Sequence, residues 1–152
     1  MIHSTELLFQ RKFFPLFLTQ LLGALNDNIL RTAIAAYISY TLSSDIDSAN
    51  FWTSLSTAMF LIPSLLFSAL SGELADKFQK IYLLRFVKLA EIFIVVFTGY
   101  LLLTGQAQAP YLVGCIFLMG THTAVFGPAK FAYLPEYLEE DELLPANGLI
   151  ES

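Results

Sequence analysis

Long apolar segments alternate with short polar segments along the whole chain. The apolar segments cover about residues 13–42, 51–70, 81–104 and 111–134, and a further one begins near residue 145. Because about 20 residues of α-helix cross a hydrocarbon core about 30 Å thick, each complete segment is long enough to span a membrane. The pattern predicts an all-α membrane protein with four membrane-spanning helices and the start of a fifth.

The composition supports this class and excludes others. Hydrophobic residues make up 56% of the 152 residues, charged residues 14%, and the mean hydropathy is +0.63. A soluble domain of this length cannot bury so much apolar surface. The net charge of −5 argues against nucleic-acid binding, which requires a basic surface. One cysteine and two separate histidines cannot form a disulfide or a metal cluster, so no metal and no cofactor is predicted.

The basic residues predict how the chain is oriented in the membrane. The polar connections at residues 43–50 and 105–110 contain no lysine or arginine. Lysine and arginine accumulate in cytoplasmic loops, so these two connections are expected outside and the N-terminus inside. The predicted location is therefore the plasma membrane, with several passes. All basic residues except Arg31 lie on the predicted inner side: Arg11, Lys12, Lys77, Lys80, Arg85, Lys88 and Lys130.

A secretory signal peptide is the alternative for the first apolar segment, because Arg11 and Lys12 precede it. The apolar character continues to about Leu42, far beyond the short core of a signal peptide, and more apolar segments follow. This length favours a first membrane helix.

The first predicted span contains polar side chains at depth. Asp27 and Arg31 are four residues apart and share a helix face with Gln20, and Asn28 lies beside them. Charges at that depth cost at least about 2.5 kcal/mol each unless they face protein or water. We therefore expect these four residues to line the bundle interior and to serve substrate binding or ion coupling. A structural Asp27–Arg31 ion pair is the alternative, and Arg31 is also a candidate for contacting a phosphate.

The third and fourth predicted spans add secondary candidates. Lys88 and Glu91 are three residues apart, so they can form an ion pair, and we favour a structural role over a coupling role. His122 is interpreted as a hydrogen-bonded packing residue, with a proton relay as the alternative. Lys130 is expected to extend to the inner interface, with contact to a lipid phosphate as the alternative.

The connection after the second span resembles the signature of the major facilitator superfamily. Gly72–Lys77 reads GELADK, and the usual signature is G-x-L-a-D-R/K-x-G-R/K-R/K. Gln79 and Ile81 depart from it, whereas Lys80 keeps a basic residue. The resemblance implies the N-terminal part of a major-facilitator helix bundle over residues 1–152. It also implies a conformational latch between the two halves of the carrier, with these residues: Gly72, Asp76, Lys77 and Lys80.

Further segments resemble the lysophospholipid transporter family within that superfamily. Gly23–Asn28 reads GALNDN, Phe126–Glu136 reads FGPAKFAYLPE, and Glu140–Leu143 and Ala146–Glu151 follow. The resemblance implies a carrier that moves lysophospholipids across the bacterial inner membrane by alternating access. Membrane lipids and a lysophospholipid are the expected partners, while a coupling cation and a fused or associated acyltransferase stay open. A carrier needs a second half, so the chain is expected to be an N-terminal fragment.

Two other functions are alternatives to a transporter. The chain is a candidate for the membrane-anchoring front part of an acyltransferase fusion, but it lacks the H-x-x-x-x-D pair of acyltransferases. Leu8 and Gly127 stand five residues after the two histidines, so no catalytic residue is predicted. A small membrane scaffold or oligomeric transporter is the third possibility.

Overall fold

The computed structural model describes residues 7–151, without the side chains of Ser68 and Ala75. The predicted domain limits at residues 1 and 152 lie outside this range. The described part contains helices and no β-strand, which confirms the all-α prediction there. Helix α1 continues into a π-helical segment at Ile38–Leu42, and the helices are α1 (Phe14–Tyr37), α2 (Ile46–Lys77), α3 (Lys80–Leu103), α4 (Ala109–Tyr137) and α5 (Glu140–Glu151).

Local sequence explains several helix ends. Pro15 and Pro110 lie in the first turns of α1 and α4, where the missing N–H breaks no intrahelical bond. The Asp45 side chain caps α2 by accepting a hydrogen bond from the Ser48 N–H at 2.7 Å. Gly105, with φ +70°, follows the end of α3 in a conformation that side chains disfavour.

Helix α4 is the centre of the bundle and packs against α2 and α3. Its buried positions form one apolar cluster with Ile34, Ile38 and Leu101, and a second cluster with Leu84 and Val87. The α2–α4 contact is close at Gly120. A Cβ atom added there would lie 2.4 Å from the Phe60 carbonyl oxygen, so only glycine permits this approach of the two backbones.

The N-terminal segment and α5 meet at one end of the bundle. Leu7 and Phe13 pack with Leu138, Ala146 and Ile150 in a separate apolar cluster. This contact brings the start of the chain to the entry of α5, although about 130 residues separate them in sequence.

Three described helices are long and apolar enough to cross a membrane: Ile46–Phe67, Lys80–Leu103 and Ala109–Tyr137. Helix α1 is not among them, although its 24 residues are sufficient in length. The polar residues at 26–28 and Arg31 explain its lower hydropathy. The prediction of four spans plus the start of a fifth therefore stays a prediction for α1 and α5.

Two helices extend beyond the predicted spans, whose limits in the membrane stay a prediction. The inner connection assigned to residues 71–80 is helical through Lys77, and only Phe78 and Gln79 form the turn. A Lys77–Glu73 ion pair one turn apart, at 2.6 Å, accompanies this extension. The last helix begins at Glu140 rather than near residue 145, because three acidic residues favour the positive N-terminal end of a helix.

Candidate functional site

A polar cavity of about 230 Å³ lies between α1, α3 and α4, and Phe60 of α2 also lines it. Most of the predicted intramembrane site residues meet there. Four come from α1, one from α3 and two from α4: Gln20, Asp27, Asn28, Arg31, Lys88, His122 and Lys130. Glu91 lies directly behind the wall, bonded to Lys88. We call this space the polar cavity.

Asp27 connects α1 to α4. Its Oδ2 atom lies 3.0 Å from the hydroxyl of Thr123, which also reaches the Met119 carbonyl at 3.0 Å. Its Oδ1 atom is buried and has no hydrogen-bond partner among the described residues. A buried carboxylate oxygen without a partner is costly, so this atom is available for a ligand that donates a hydrogen bond or carries positive charge.

Arg31 does not form the ion pair with Asp27 that its spacing allows. One guanidinium nitrogen donates to the Asn28 Oδ1 atom at 3.1 Å, and the guanidinium lies over the ring of Phe60, 5.0 Å from its centre. Within the described residues it has no carboxylate partner. The structural alternative for Asp27 and Arg31 is thus wrong in this conformation, and the Arg31 fork is free to bind an anion.

The predicted pair of Lys88 and Glu91 is present, and it belongs to a larger buried cluster. Lys88 Nζ lies 2.6 Å from Glu91 Oε2, and the Asn26 amide donates to Oε1 at 3.0 Å. His122 Nε2 lies 3.1 Å from Oε2. Glu91 therefore joins α1, α3 and α4 through one carboxylate. We call these four side chains the Glu91 cluster.

Gly23 makes room for this cluster. A Cβ atom at Gly23 would lie 2.5 Å from Lys88 Nζ, too close for the lysine to keep its position. Lys88 also lies over the ring of Phe126, 4.4 Å from its centre. These contacts explain how a lysine is held at the cavity wall beside an apolar helix.

Lys130 of α4 also lines the polar cavity. Its ammonium group is 4.9 Å from the centre of the neighbouring Phe131 ring, and its side chain is half-buried. Gln20 and Asn28 line the same cavity from α1. Asn28 donates to the Ala24 carbonyl at 2.9 Å, which fixes the amide oxygen that Arg31 contacts.

An apolar groove of about 820 Å³ adjoins the polar cavity. Side chains of α3 and α4 and the end of α2 line it, including Phe86, Ile94 and Leu118. His122 lies in the walls of both spaces. An apolar space and a charged space therefore share one residue.

The predicted latch residues lie apart from the polar cavity, at the turn between α2 and α3. Asp76 and Lys77 are exposed, and Gly72 has open space around its Cα atom. Lys80 forms an ion pair with Glu136 of α4 at 2.6 Å. Asp76 and Lys80 line a shallow space of about 350 Å³ that also includes Lys77.

Three residues of the site were not singled out from the sequence. Thr123 positions Asp27, Asn26 positions Glu91, and Phe60 lies under Arg31. Asn26 stands beside Asp27 in sequence, but the two side chains project from different faces of α1. Thr123 follows His122, so an explicit helical wheel of α4 would have placed it near the cavity. Phe60 carried no signal, because the second span contains many apolar residues.

Comparisons with known proteins assign a family to this bundle. The family described as transmembrane secretion effector matches residues 8–151, nearly the whole chain. The chain belongs to this family of the major facilitator superfamily. The superfamily prediction made from Gly72–Lys77 is therefore confirmed, and the chain is a member of a family of multi-pass membrane transporters.

The chain is also similar to the lysophospholipid transporter LplT of Cronobacter sakazakii. The two are 30% identical over 149 residues, which cover 95% of this chain and 33% of that protein. The chain thus spans about a third of the length of this relative. The likeness supports the kinship with lysophospholipid transporters that the sequence suggested. No solved structure matches the chain.

Proposed function

We propose that this chain forms the first helices of a secondary carrier that moves lysophospholipids across the bacterial inner membrane, with its N-terminus in the cytoplasm. Transport proceeds by alternating access, in which two helix bundles rock around a site near the membrane midplane. The observation that carries the proposal is the polar cavity, because it gathers acidic and basic side chains inside an otherwise apolar bundle.

The charges of the polar cavity suit a zwitterionic headgroup. Arg31 and Lys130 are the cations for the phosphate, since neither forms an ion pair with a carboxylate among the described residues. Asp27, with its unpartnered Oδ1 atom, is the anion for a headgroup ammonium. Lysophosphatidylethanolamine carries both groups. The adjoining apolar groove has the lining that an acyl chain requires, which favours an amphipathic substrate over a sugar or an amino acid.

The turn between α2 and α3 has a separate role in this proposal. Asp76 and Lys77 are exposed and lie at the C-terminal end of α2, so they are available to a second bundle. The latch inferred for Gly72, Asp76, Lys77 and Lys80 would form there when the carrier faces outward.

The test is uptake of lysophosphatidylethanolamine by spheroplasts that express the protein from its own gene and lack other lysophospholipid transporters. We expect uptake above the empty-vector rate, and a loss of at least about tenfold in Asp27→Asn, the effect of about 1.4 kcal/mol of lost binding or transition-state stabilisation. Asp47→Asn, which changes an exposed acid at the start of α2, is the matched control. Equal uptake by Asp27→Asn, at equal expression in the membrane, would contradict the proposal.

A further inference from the structure

A second charged cavity lies at the end of the bundle where the chain begins. It has a volume of about 510 Å³ and lies between the segment before α1, the first turns of α1 and α3, and the end of α4. No aspartate or glutamate among the described residues lines it, whereas four basic residues do: Arg11, Lys12, Arg85 and Lys88. We call this space the basic cavity.

Both lysines of the basic cavity already have a carboxylate partner. Lys12 is paired with Glu142 of α5 and Lys88 with Glu91 of α3, each at 2.6 Å. These two pairs add no net charge to the space, so they do not require a ligand. Lys88 also lines the polar cavity, which makes the two cavities neighbours.

The two arginines of the basic cavity leave an excess of two positive charges. Arg11 and Arg85 form no ion pair with a carboxylate in the described part of the chain. Glu136, an acid that interacts electrostatically with Tyr133 in the wall, is paired with Lys80 at 2.6 Å. Two like charges that line one cavity repel each other, and an anion between them offsets this repulsion.

Arg11 is held at the basic cavity although it precedes the first helix. Gln10 and Lys12, the residues on either side of it, both donate to the Glu142 carboxylate, at 3.0 and 2.6 Å. Phe13 is buried in the apolar cluster that joins the start of the chain to α5. Arg11 therefore belongs to an anchored segment rather than to a frayed terminus.

Orientation in the membrane alone does not explain this arrangement. A basic residue that determines orientation needs only to lie on the correct side of the membrane. Arg11 and Arg85 come from different segments and line one cavity, whose remaining wall is largely apolar and includes Leu16, Leu84 and Phe126. Two unpaired cations above an apolar wall are suited to an amphipathic anion.

The position of the basic cavity along the helices identifies the class of anion. Arg85 lies in the second turn of α3, and Tyr133 and Tyr137 lie in the last two turns of α4, with ring centres 4.2 Å apart. Both helices are long and apolar enough to cross a membrane, so these ends are expected at the interface, where tyrosine is enriched. Phospholipid phosphates lie at the same depth, and their acyl chains match the apolar wall.

The lack of an acid in the described wall selects among phospholipids. In the polar cavity, Asp27 has a free carboxylate oxygen for a headgroup ammonium. The basic cavity offers no such group, so a zwitterionic headgroup would place its ammonium beside unpaired arginines. An anionic headgroup avoids this repulsion. Basic pockets between membrane helices on the cytoplasmic side commonly bind anionic headgroups.

We propose that the basic cavity binds an anionic phospholipid of the bilayer, with the lipid phosphate between Arg11 and Arg85. The lipid belongs to the leaflet on the side of the N-terminus, which is the cytoplasmic leaflet in the orientation proposed above. It is a different molecule from the transported lysophospholipid, and it connects the N-terminal segment to α3. The site requires the bundle to be in a membrane, but it does not require transport.

The experiment measures lipid binding to the protein expressed from its own gene and purified in detergent micelles. Native mass spectrometry gives the dissociation constants of anionic dioleoylphosphatidylglycerol and zwitterionic dioleoylphosphatidylethanolamine. We expect the wild type to bind the anionic lipid at least about fivefold more tightly, the effect of one basic residue near an anionic headgroup. Equal affinity for the two lipids would overturn the proposal.

Arg11→Gln and Arg85→Gln locate the site. Each should weaken binding of phosphatidylglycerol by about fivefold, and the double variant should bind the two lipids alike. Both arginines are exposed and have no ion pair among the described residues, so these variants should fold. Wild-type affinity in the double variant would overturn the assignment.

Lys77→Gln is the matched control, because it removes one positive charge at the same end of the bundle but outside the basic cavity. It should bind phosphatidylglycerol as tightly as the wild type does, since salt screens exposed charges outside the site. A loss equal to that of Arg85→Gln would assign the preference to the overall surface charge and overturn the site.

Competition identifies the source of the bound phosphate. Neither inorganic phosphate at matched ionic strength nor lysophosphatidylethanolamine should displace phosphatidylglycerol. Displacement by inorganic phosphate would assign the site to a soluble anion, and displacement by the lysophospholipid would assign it to the transport pathway; either result overturns the proposal. Because binding is measured without transport, its failure leaves the carrier function standing, and a failed uptake test leaves this site standing.

Discussion

The polar cavity and the turn between α2 and α3 each contain several charges, but the charges are arranged differently. In the polar cavity the charged side chains are buried or half-buried and contact partners on other helices, as Glu91 contacts Asn26 and His122. At the turn, Lys77 is exposed and pairs with Glu73 one helical turn away. The difference teaches that burial and cross-helix partners, rather than the number of charges, distinguish a binding site from a determinant of orientation.

The largest effect on stability is expected for a half-buried cation of the cavity wall, Lys88. Lys88→Met leaves Glu91 without its ammonium partner, and removing one member of a buried pair typically costs about 3–5 kcal/mol. Arg85→Met changes an exposed cation one turn earlier on α3 and should cost less than about 0.5 kcal/mol. Denaturant unfolding in detergent micelles measures both. Equal stability of the two variants would erase the distinction between the two regions.

A smaller effect is expected where two helices meet beside the cavity. Gly120→Ala places a methyl group 2.4 Å from the Phe60 carbonyl oxygen, so α2 and α4 must separate, at a cost of about 1–3 kcal/mol. Gly114→Ala, on the same helix, meets nothing within 4 Å and is the matched control. The same unfolding assay compares the two variants. If the stability of Gly120→Ala equals that of the wild type, the close contact between α2 and α4 is not present in the folded protein.

A third charged group, around Glu142, allows the effect of burial to be measured separately from the effect of position in the membrane. Glu142, at the start of α5, is 3% exposed and accepts from Lys12 at 2.6 Å, from the Glu139 N–H and from Gln10. The Lys12 ammonium above all lowers the pKa of Glu142 to about 2, from an ordinary 4.5. Its contribution to stability is therefore complete above pH 4.5 and is lost as the pH falls toward 2.

The measurement is the melting temperature of Glu142→Gln against wild type as a function of pH. We expect the variant to melt at lower temperature at pH 7 and the gap to narrow as the pH falls below about 4.5. Glu140→Gln, at an exposed position of the same helix, loses only the weak interaction with the helix N-terminus and should melt much closer to the wild type at pH 7 than Glu142→Gln does. A gap that is constant from pH 7 to pH 3 would show that Glu142 does not act through its charge.

The smallest effects belong to the turn. Lys77→Gln breaks an exposed pair within one helix and should change stability by less than about 0.5 kcal/mol. Lys80→Gln breaks a half-exposed pair between α3 and α4 and should cost up to about 1 kcal/mol. If Lys77→Gln costs as much as Lys88→Met, measured by the same unfolding assay, burial is not what separates the two regions.

The sequence was sufficient to predict a bundle of helices and most of the charged and polar residues that line the polar cavity. Asp27, Arg31 and His122 stood out because charged or titratable side chains are rare in apolar segments. Spacing along one helix also predicted the Lys88–Glu91 pair. These inferences need only a helical period and the cost of buried charge.

The sequence did not predict which residues of different helices contact each other. The spacing of Asp27 and Arg31 allowed an ion pair. In the packed bundle, however, Asp27 accepts a hydrogen bond from Thr123 of α4, and Arg31 lies over the ring of Phe60. The Glu91–His122 contact joins two helices whose relative rotation no periodicity reveals. Gly120 likewise requires the position of Phe60, which only the folded bundle provides.

The most direct test of the central claim, that the polar cavity binds the headgroup, combines a change in the protein with a change in the lipid. Uptake of lysophosphatidylethanolamine is compared with uptake of its N-acetylated form, which lacks the ammonium charge, in wild type, Asp27→Asn and Asp47→Asn. We predict that wild type and Asp47→Asn prefer the charged lipid by at least about fivefold, or about 1 kcal/mol, and that Asp27→Asn shows no preference. The same preference in Asp27→Asn as in wild type would contradict the account.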